Sequence, residues 1–308
     1  MQQPTAERLS SPTGADILAR FRDVAEPKAV IAIQHGMAEH SARYAAFQDA
    51  LAGRGYASVA HDHRGHGNTR APDAGIGHFA ASDGWSRVAE DARFVANEAK
   101  RRHPDAPLFA FGHSMGGIVA MSLVLEHAEA FSGAAVWNIG FRQGALGVVF
   151  RALLRVERMR RGSDVPSPLA RKLTFDAFNR RFAPNRTAFD WLSCDVAEVD
   201  RYVTDPHCGH PVTVGLWLAV QDGMRRAADD EALIVLPRDM PFHMLGGSED
   251  PVTEGGSKTI RLAKRMRATG LSDVTCHVLE GARHEALHEV DRDQTISTFI
   301  DWLDARFA

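Results

Sequence analysis

Cysteine is scarce in this sequence. The 308 residues include only three cysteines, Cys194, Cys208 and Cys276, an odd number at wide separations. They form no pairs at zinc-binding spacing and indicate no disulfide framework. We therefore expect the three thiols to be reduced and structural, and we expect the protein to need neither a metal nor a cofactor.

Long hydrophobic runs and an excess of charge are also missing. No apolar run approaches the roughly 20 residues that span a bilayer. The first residues have neither the basic region nor the apolar stretch of a secretory signal. The net charge of −3 gives no overall reason to expect nucleic acid as a partner. These features favour a cytoplasmic location; they do not indicate an oligomeric state.

What the sequence does contain is a regular alternation of strand and helix patterns. Continuous apolar runs are typical of strands buried on both faces of a parallel sheet, and segments with apolar residues at helical spacing separate them. Strands are predicted at 29–33, 56–61, 107–111, 131–137, 241–245 and 274–279 after a hairpin at 7–11 and 17–23, and helices at 41–53, 86–102 and 292–307. The alternation predicts an α/β fold with a mostly parallel, doubly wound sheet.

One long segment, from residue 140 to residue 238, departs from this alternation. It is largely helical in pattern and is interrupted by prolines. A helical block between two core strands indicates a cap inserted above the sheet. We therefore divide the chain into a first core part at 1–139, a helical cap at 140–238 and a second core part at 239–308.

The most informative motif is Gly112-His113-Ser114-Met115-Gly116-Gly117, between a predicted strand and a helix-like run. A turn this tight raises a serine hydroxyl above the sheet edge and places the serine in strained backbone angles. Gly112 and Gly116 remove side chains that would collide with the neighbouring strand and helix. Ser114 is therefore the candidate nucleophile. The same pattern also arises by chance in a chain with 26 glycines, so partner residues must support it.

A serine nucleophile needs a base, and the base needs an orienting carboxylate. Asp250 follows the strand at 241–245, at the sheet edge where active sites of open α/β sheets form. Glu249 is its main competitor; we prefer Asp250 because it precedes the rigid Pro251. His284 follows the strand at 274–279 and is the candidate base. Three other histidines fit this role less well. His243 and His277 lie inside predicted strands, and His288 lies one helical turn after His284.

Two backbone amides are needed to stabilise the oxyanion. One is expected from Met115, directly after the nucleophile. The other is expected from Met37, in the loop Gln34-His35-Gly36-Met37 that follows the strand at 29–33.

Taken together, these pieces resemble the α/β-hydrolase superfamily, in particular its monoacylglycerol lipase and lysophospholipase branch. Four segments carry the resemblance. They are the serine turn at 112–117, His35-Gly36-Met37-Ala38-Glu39-His40-Ser41-Ala42-Arg43-Tyr44, Asp62-His63-Arg64-Gly65-His66-Gly67 and Gly281-Ala282-Arg283-His284-Glu285. The branch usually has glycine where Ala38 and Ala42 stand, a mild departure. The resemblance covers residues 7–140 and 240–306 and is much weaker across the cap. Glu39 and Arg64 either pair to brace two loops or lie on the solvated surface.

The resemblance implies a serine carboxylic-ester hydrolase with a Ser114–His284–Asp250 triad and an acyl-enzyme intermediate. Monoacylglycerols, lysophospholipids or similar small lipid-like esters are the implied substrates. An aminopeptidase of the same fold is the alternative, and it would need a cap acid such as Asp222 or Glu231 to bind the substrate amine. A non-catalytic binding protein of this fold would be expected to lack a triad member.

The cap also has an uneven charge. Residues 141–186 contain eleven Lys and Arg against Glu157, Asp164 and Asp176, a local balance of +8. The segment 148–158 has apolar and basic residues at helical spacing, which suggests an amphipathic helix in peripheral contact with anionic membrane lipid. The alternative is a helix that buries its apolar face on the core and leaves its basic face in water.

Overall fold

The computed structural model describes residues 4–139, 144–227 and 229–307. Eight strands form one sheet in the order β1-β2-β4-β3-β5-β6-β7-β8. The strands are β1 (Thr5–Ser10), β2 (Asp16–Arg22), β3 (Val30–Gln34), β4 (Ala57–His61), β5 (Leu108–His113), β6 (Gly133–Trp137), β7 (Phe242–Gly247) and β8 (Val274–Leu279). β3 to β8 run parallel, and β2 pairs antiparallel with both β1 and β4. The predicted α/β fold and mostly parallel sheet are confirmed.

Helices pack on both faces of this sheet. They are α1 (Ala45–Gly53), α2 (Gly84–Arg102), α3 (Met115–Glu126), α4 (Ala145–Arg161), α5 (Pro168–Leu173), α6 (Phe175–Asn179), α7 (Val196–Thr204), α8 (Val214–Ala227), α9 (Asp230–Ile234), α10 (Ser257–Ala268) and α11 (Arg292–Asp304). The first turn of the helix predicted at 41–53 is a separate 3-10 turn, Ser41–Tyr44, a common form at helix N-termini. None of the helices in the described ranges has the length and apolar character that crossing a bilayer requires.

The apolar runs of the central strands are explained by two hydrophobic clusters, one on each face. Along β3, Val30 and Ala32 belong to one cluster, and Ile31 and Ile33 belong to the other. Successive strand residues point to opposite faces, so a strand covered on both sides needs an apolar residue at every position.

The chain between β6 and β7 is helical, as expected of an insertion, but one of its helices, α8, packs on helices of the core. α8 packs against α3 and α2, and Gly223 lies so close to Trp85 that an added Cβ would come within 2.2 Å of the indole. α8 therefore belongs to the layer that covers the sheet. The domain limits drawn from the sequence stay a prediction, and residues 140–143 and 228 of the predicted cap lie outside the described residues.

Candidate active site

The turn between β5 and α3 has the predicted strained geometry. Ser114 has φ 54° and ψ −120°, outside the regions that L-residues favour. A Cβ on Gly112 would come within 2.1 Å of the Gly116 carbonyl oxygen, and a Cβ on Gly116 within 2.0 Å of the Gln34 carbonyl oxygen. Only glycine fits at these two positions, which explains the motif.

Three predicted residues meet above the carboxyl ends of the parallel strands. The Ser114 hydroxyl donates to His284 Nε2 at 2.9 Å. The opposite ring nitrogen of His284, Nδ1, donates to Asp250 Oδ1 at 3.0 Å. This arrangement is the one in which a histidine can accept the serine proton while a carboxylate holds the ring.

The Asp250 carboxylate is fully buried and has several other donors. The Val252 N–H donates to Oδ1 at 2.9 Å, and Thr253 and Asn138 donate to Oδ2 at 3.0 and 3.1 Å. Burial alone would raise the pKa of Asp250, but His284, Asn138 and the Val252 amide outweigh it and hold the pKa below its ordinary value. Asp250 is therefore a stable anion. Asn138 was not predicted as part of the site; its position directly after β6 was the available signal.

The competing candidates lie elsewhere. Glu249 is exposed. His288 Nδ1 faces Glu198 at 3.6 Å. His243 Nδ1 accepts the Trp137 indole N–H at 3.0 Å, and burial lowers its pKa to about 3. His277 lies within β8.

The two predicted oxyanion donors flank the serine. Met37 and Met115 line the same cavity as Ser114 and His284. Within the described part of the chain, neither main-chain N–H donates to a protein acceptor, so both are free to bind a substrate oxygen. Ala38 has φ 58°, so the chain turns sharply directly after Met37.

The insertion covers the histidine with an aromatic side chain. The Trp191 ring lies 5.0 Å from the His284 ring, and Phe175 stacks on Trp191 at 5.6 Å. Trp191 is buried, so it shields this side of His284 from water. The sequence pattern did not predict this role of Trp191, because Trp191 and His284 are 93 residues apart in the chain.

Two neighbouring cavities share Ser114 and His284 in their walls. The larger has a volume of about 640 Å³ and is mainly apolar, with Ile118, Phe150 and Val220 among its lining residues. The smaller has a volume of about 290 Å³ and reaches Tyr202 and His210. A bound molecule could therefore place its reacting centre at Ser114 and a part in each cavity.

Comparison with known proteins identifies the family. The family described as "Serine aminopeptidase, S33" matches residues 25–291. The chain belongs to this family. Mouse monoglyceride lipase is 28% identical over 289 residues, which cover 92% of this chain and 84% of the mouse protein. The similarity to monoglyceride lipases that the motifs indicated is confirmed.

Solved structures show the same fold. A carboxyl esterase from Bacillus coagulans superposes with a TM-score of 0.89 at 23% identity, covering 99% of both chains. A monoglyceride lipase variant from Saccharomyces cerevisiae superposes with a TM-score of 0.74 at 18% identity, covering 99% of this chain and 96% of that one. This S33 family member is thus a serine hydrolase with the α/β-hydrolase fold, as predicted.

Behind the active site of this S33 hydrolase lies a buried charge network. Arg43 binds Glu285 through two nitrogens at 2.7 and 2.6 Å, and binds Glu39 Oε2 at 2.6 Å. Glu39 Oε1 accepts the Gly36 N–H at 2.5 Å and the Tyr44 hydroxyl at 3.0 Å. The network therefore joins the oxyanion loop to the residue after His284.

The suggested Glu39–Arg64 pair is wrong. Arg64 is fully buried; it binds Asp91 Oδ2 at 2.8 Å and the Phe79 carbonyl at 3.0 Å. Both Arg43 and Arg64 were possible partners of Glu39. Sequence spacing alone did not show that Arg43, one helical turn after Glu39, forms the ion pair with it. The surface alternative fails as well, because Glu39 is buried.

We expect Arg43→Met to destabilise the protein by about 3 kcal/mol, since breaking a buried ion pair leaves uncompensated charge. The unfolding midpoint should fall by roughly 5 °C. Burial opposes the charged forms of Glu39 and Glu285, but Arg43 holds the pKa of both carboxyls below their ordinary value. Wild-type stabilisation from these groups is thus present at neutral pH and lost as pH falls.

Without Arg43, burial raises these two pKa values, and the variant loses stability as pH rises. The gap between the midpoints of wild type and variant should therefore shrink as pH falls toward about 4.5. Thermal unfolding followed by circular dichroism at several pH values measures this. Arg54→Met is the control, because Arg54 pairs with Asp301 and Asp304 at the surface. An equal fall of the unfolding midpoint in Arg43→Met and Arg54→Met would contradict the buried ion-pair network around Arg43.

Proposed function

We propose that this protein is a carboxylic-ester hydrolase that cleaves monoacylglycerols or similar small lipid esters, lysophospholipids included, with Ser114, His284 and Asp250 as its triad. The observation that carries the proposal is the continuous hydrogen-bond chain from the Ser114 hydroxyl to the buried Asp250 carboxylate. That chain opens onto a largely apolar cavity. Its completeness also speaks against a non-catalytic binding protein.

In the proposed mechanism, His284 Nε2 takes the proton of Ser114 as the oxygen attacks the ester carbonyl. The tetrahedral oxyanion binds the Met37 and Met115 amides. Asp250 keeps the proton of His284 on Nδ1 and stabilises the charged ring. The leaving alcohol takes the proton from Nε2, and water then releases the acid by the same route.

The two cavities favour an ester with unequal parts. The larger cavity suits an acyl chain, because Ile118, Phe150 and Val220 line it and do not line the smaller one. The smaller one, bounded by the oxyanion loop and the segment around Gly209, suits a compact alcohol.

An aminopeptidase would need a free carboxylate to bind the substrate ammonium group. Asp222 and Glu231, the acids suggested by the sequence, line neither cavity. The acids that do line them are each paired with a basic side chain: Glu39, Asp176, Glu254 and Glu285. This pairing favours the ester substrate over the peptide.

The experiment that tests the substrate class compares turnover of monoacylglycerols, lysophospholipids, short aryl esters and aminoacyl amides by the purified protein. We expect kcat/KM to be highest for esters with an acyl chain that fills the larger cavity. A preference for the aminoacyl amides would overturn the proposed class in favour of the aminopeptidase.

We also propose that α4 contacts anionic membrane lipid. Its buried side is small: Leu154 is buried, and Phe150 packs against Trp217. Its outer side exposes six apolar residues, Leu146, Val148, Val149, Leu153, Val156 and Met159. The alternative of a solvated basic face over a buried apolar face does not describe this helix. The predicted cytoplasmic location stays a prediction.

The charges of α4 suit the same surface. Arg155, Arg158 and Arg160 are exposed, whereas Arg151 pairs with Asp222. Exposed apolar residues beside arginines are typical of helices that lie in the interface of anionic bilayers. The start of α4 also lines the larger cavity, so a docked helix would bring that cavity to the lipid.

We expect Arg155→Gln with Arg158→Gln to weaken binding to phosphatidylglycerol vesicles by about 30-fold, at roughly 1 kcal/mol per arginine near the surface. Vesicle co-sedimentation at low and high salt measures this. Arg93→Gln with Arg101→Gln, two exposed arginines of α2, is the matched control. Lipid binding that both double variants retain equally would refute the proposed contact.

A further inference from the structure

A group of metal-type donors lies beside the active site and takes no part in the proposed reaction. Ligand atoms of His40, Asp205 and Cys208 all lie within 4.8 Å of one another. They supply one nitrogen, one oxygen and one sulfur. His40 is buried, and the other two are partly buried, so an ion could reach them from the Asp205 side.

The chain holds these donors in a defined loop. Asp205-Pro206-His207-Cys208 follows α7, and the Asp205 Oδ1 atom accepts the His207 N–H at 2.8 Å. The Cys208 N–H donates to the Asp205 carbonyl at 3.0 Å. The next residue, Gly209, donates its N–H to the Ala38 carbonyl at 2.9 Å. The loop is thereby attached to the segment that carries His40.

One further observation concerns His40. Its Nδ1 atom is buried and has no hydrogen-bond partner among the described residues, although its Nε2 atom contacts Asp205 Oδ2 at 2.8 Å.

A thiol binds zinc as the thiolate, so metal binding has to displace the proton of Cys208.

We propose that His40, Asp205 and Cys208 bind one zinc ion, with the fourth position open to solvent. Zinc is favoured because it takes nitrogen, oxygen and sulfur ligands in tetrahedral geometry, whereas magnesium and calcium prefer oxygen alone. On binding, the Cys208 sulfur loses its proton to the solvent and forms the metal–sulfur bond. The His40–Asp205 hydrogen bond opens, the proton of His40 moves from Nε2 to Nδ1, and Nε2 and the Asp205 carboxylate bind the ion.

The bound ion would join the loop after α7 to the segment that follows the oxyanion loop. His40 is adjacent to Glu39, whose carboxylate holds the Gly36 N–H. Zinc would therefore stabilise the contact between the insertion and the oxyanion loop. This departs from the expectation of no metal, which rested on cysteine spacing alone.

The test is titration of the metal-free protein with Zn²⁺ against a chromophoric chelator. We expect one equivalent to bind, about one proton to be released from the thiol, and the unfolding midpoint to rise. Co²⁺ in place of zinc should give a thiolate-to-cobalt charge-transfer band, which reports a cysteine ligand in the wild-type protein. Failure to bind one equivalent, or a cobalt complex without that band, would overturn the site.

Variants locate the ion. Cys208→Ser and Asp205→Asn should each weaken zinc binding at least tenfold, and Cys208→Ser should remove the cobalt band. Cys194→Ser is the matched control, because Cys194 is an exposed free thiol elsewhere, and it should bind as the wild type does. Zinc binding that survives Cys208→Ser but is lost in Cys194→Ser would place the ion at the other thiol. If Cys208→Ser does not fold, Asp205→Asn and the wild-type cobalt spectrum decide the question.

Discussion

Replacing Ser114 by alanine is expected to lower kcat on esters by about 10⁴- to 10⁶-fold, the loss typical of removing a catalytic serine. The Ser114 hydroxyl donates to His284 Nε2 and is the proposed nucleophile of the acyl-enzyme step. Alanine keeps the Cβ and meets the same backbone angles as serine. We therefore expect the fold of the variant to be unchanged.

Covalent labelling with a fluorophosphonate probe, followed by intact mass measurement, checks this prediction directly. The wild type should gain one probe adduct, and Ser114→Ala should gain none. Ser86→Ala, which changes an exposed serine of α2, should label like the wild type. Persistent labelling of the Ser114→Ala protein would show that another residue is the nucleophile.

Asp250→Asn is expected to lower kcat by about 10⁴-fold, although asparagine has nearly the same shape. The carboxylate accepts the His284 Nδ1 proton and three further donors. An amide turns an N–H₂ group toward some of these donors and favours the wrong tautomer of the histidine. Nε2 would then carry the proton and could not accept that of Ser114.

Glu249→Gln is the matched comparison, because it makes the same chemical change one residue earlier on an exposed side chain. We expect its kcat to stay near the wild-type value. Thermal unfolding of both variants separates loss of catalysis from loss of fold. A larger loss in Glu249→Gln than in Asp250→Asn would identify Glu249 as the orienting acid and refute the triad as proposed.

Much of the architecture was readable from local patterns. Continuous apolar runs such as 29–33 became strands covered on both faces, since every position of such a strand packs against a helix layer. The same reasoning placed Ser114, Asp250 and His284 together, because the carboxyl ends of parallel strands lie at one edge of the sheet. Strand limits were less accurate: β6 begins at Gly133, two residues later than predicted.

The side-chain partners were not readable in this way. The partner of Glu39 is Arg43 and not Arg64, and Trp191 covers His284 from a segment of the insertion. The outward face of α4 is the apolar one, which helical spacing cannot show, since spacing gives two faces but not which one meets the protein.

The sequence by itself determined the α/β fold, the strained serine turn and the chain order of the proposed nucleophile, acid and base, because each depends on local periodicity, glycine geometry and the ends of strands. Only the tertiary structure decided which charges are paired, which face of α4 is exposed and which donors surround His40. The donors around His40 depend on segments far apart in the chain, since His40 and Asp205 are separated by 165 residues and are brought together by the packing of the insertion on the core.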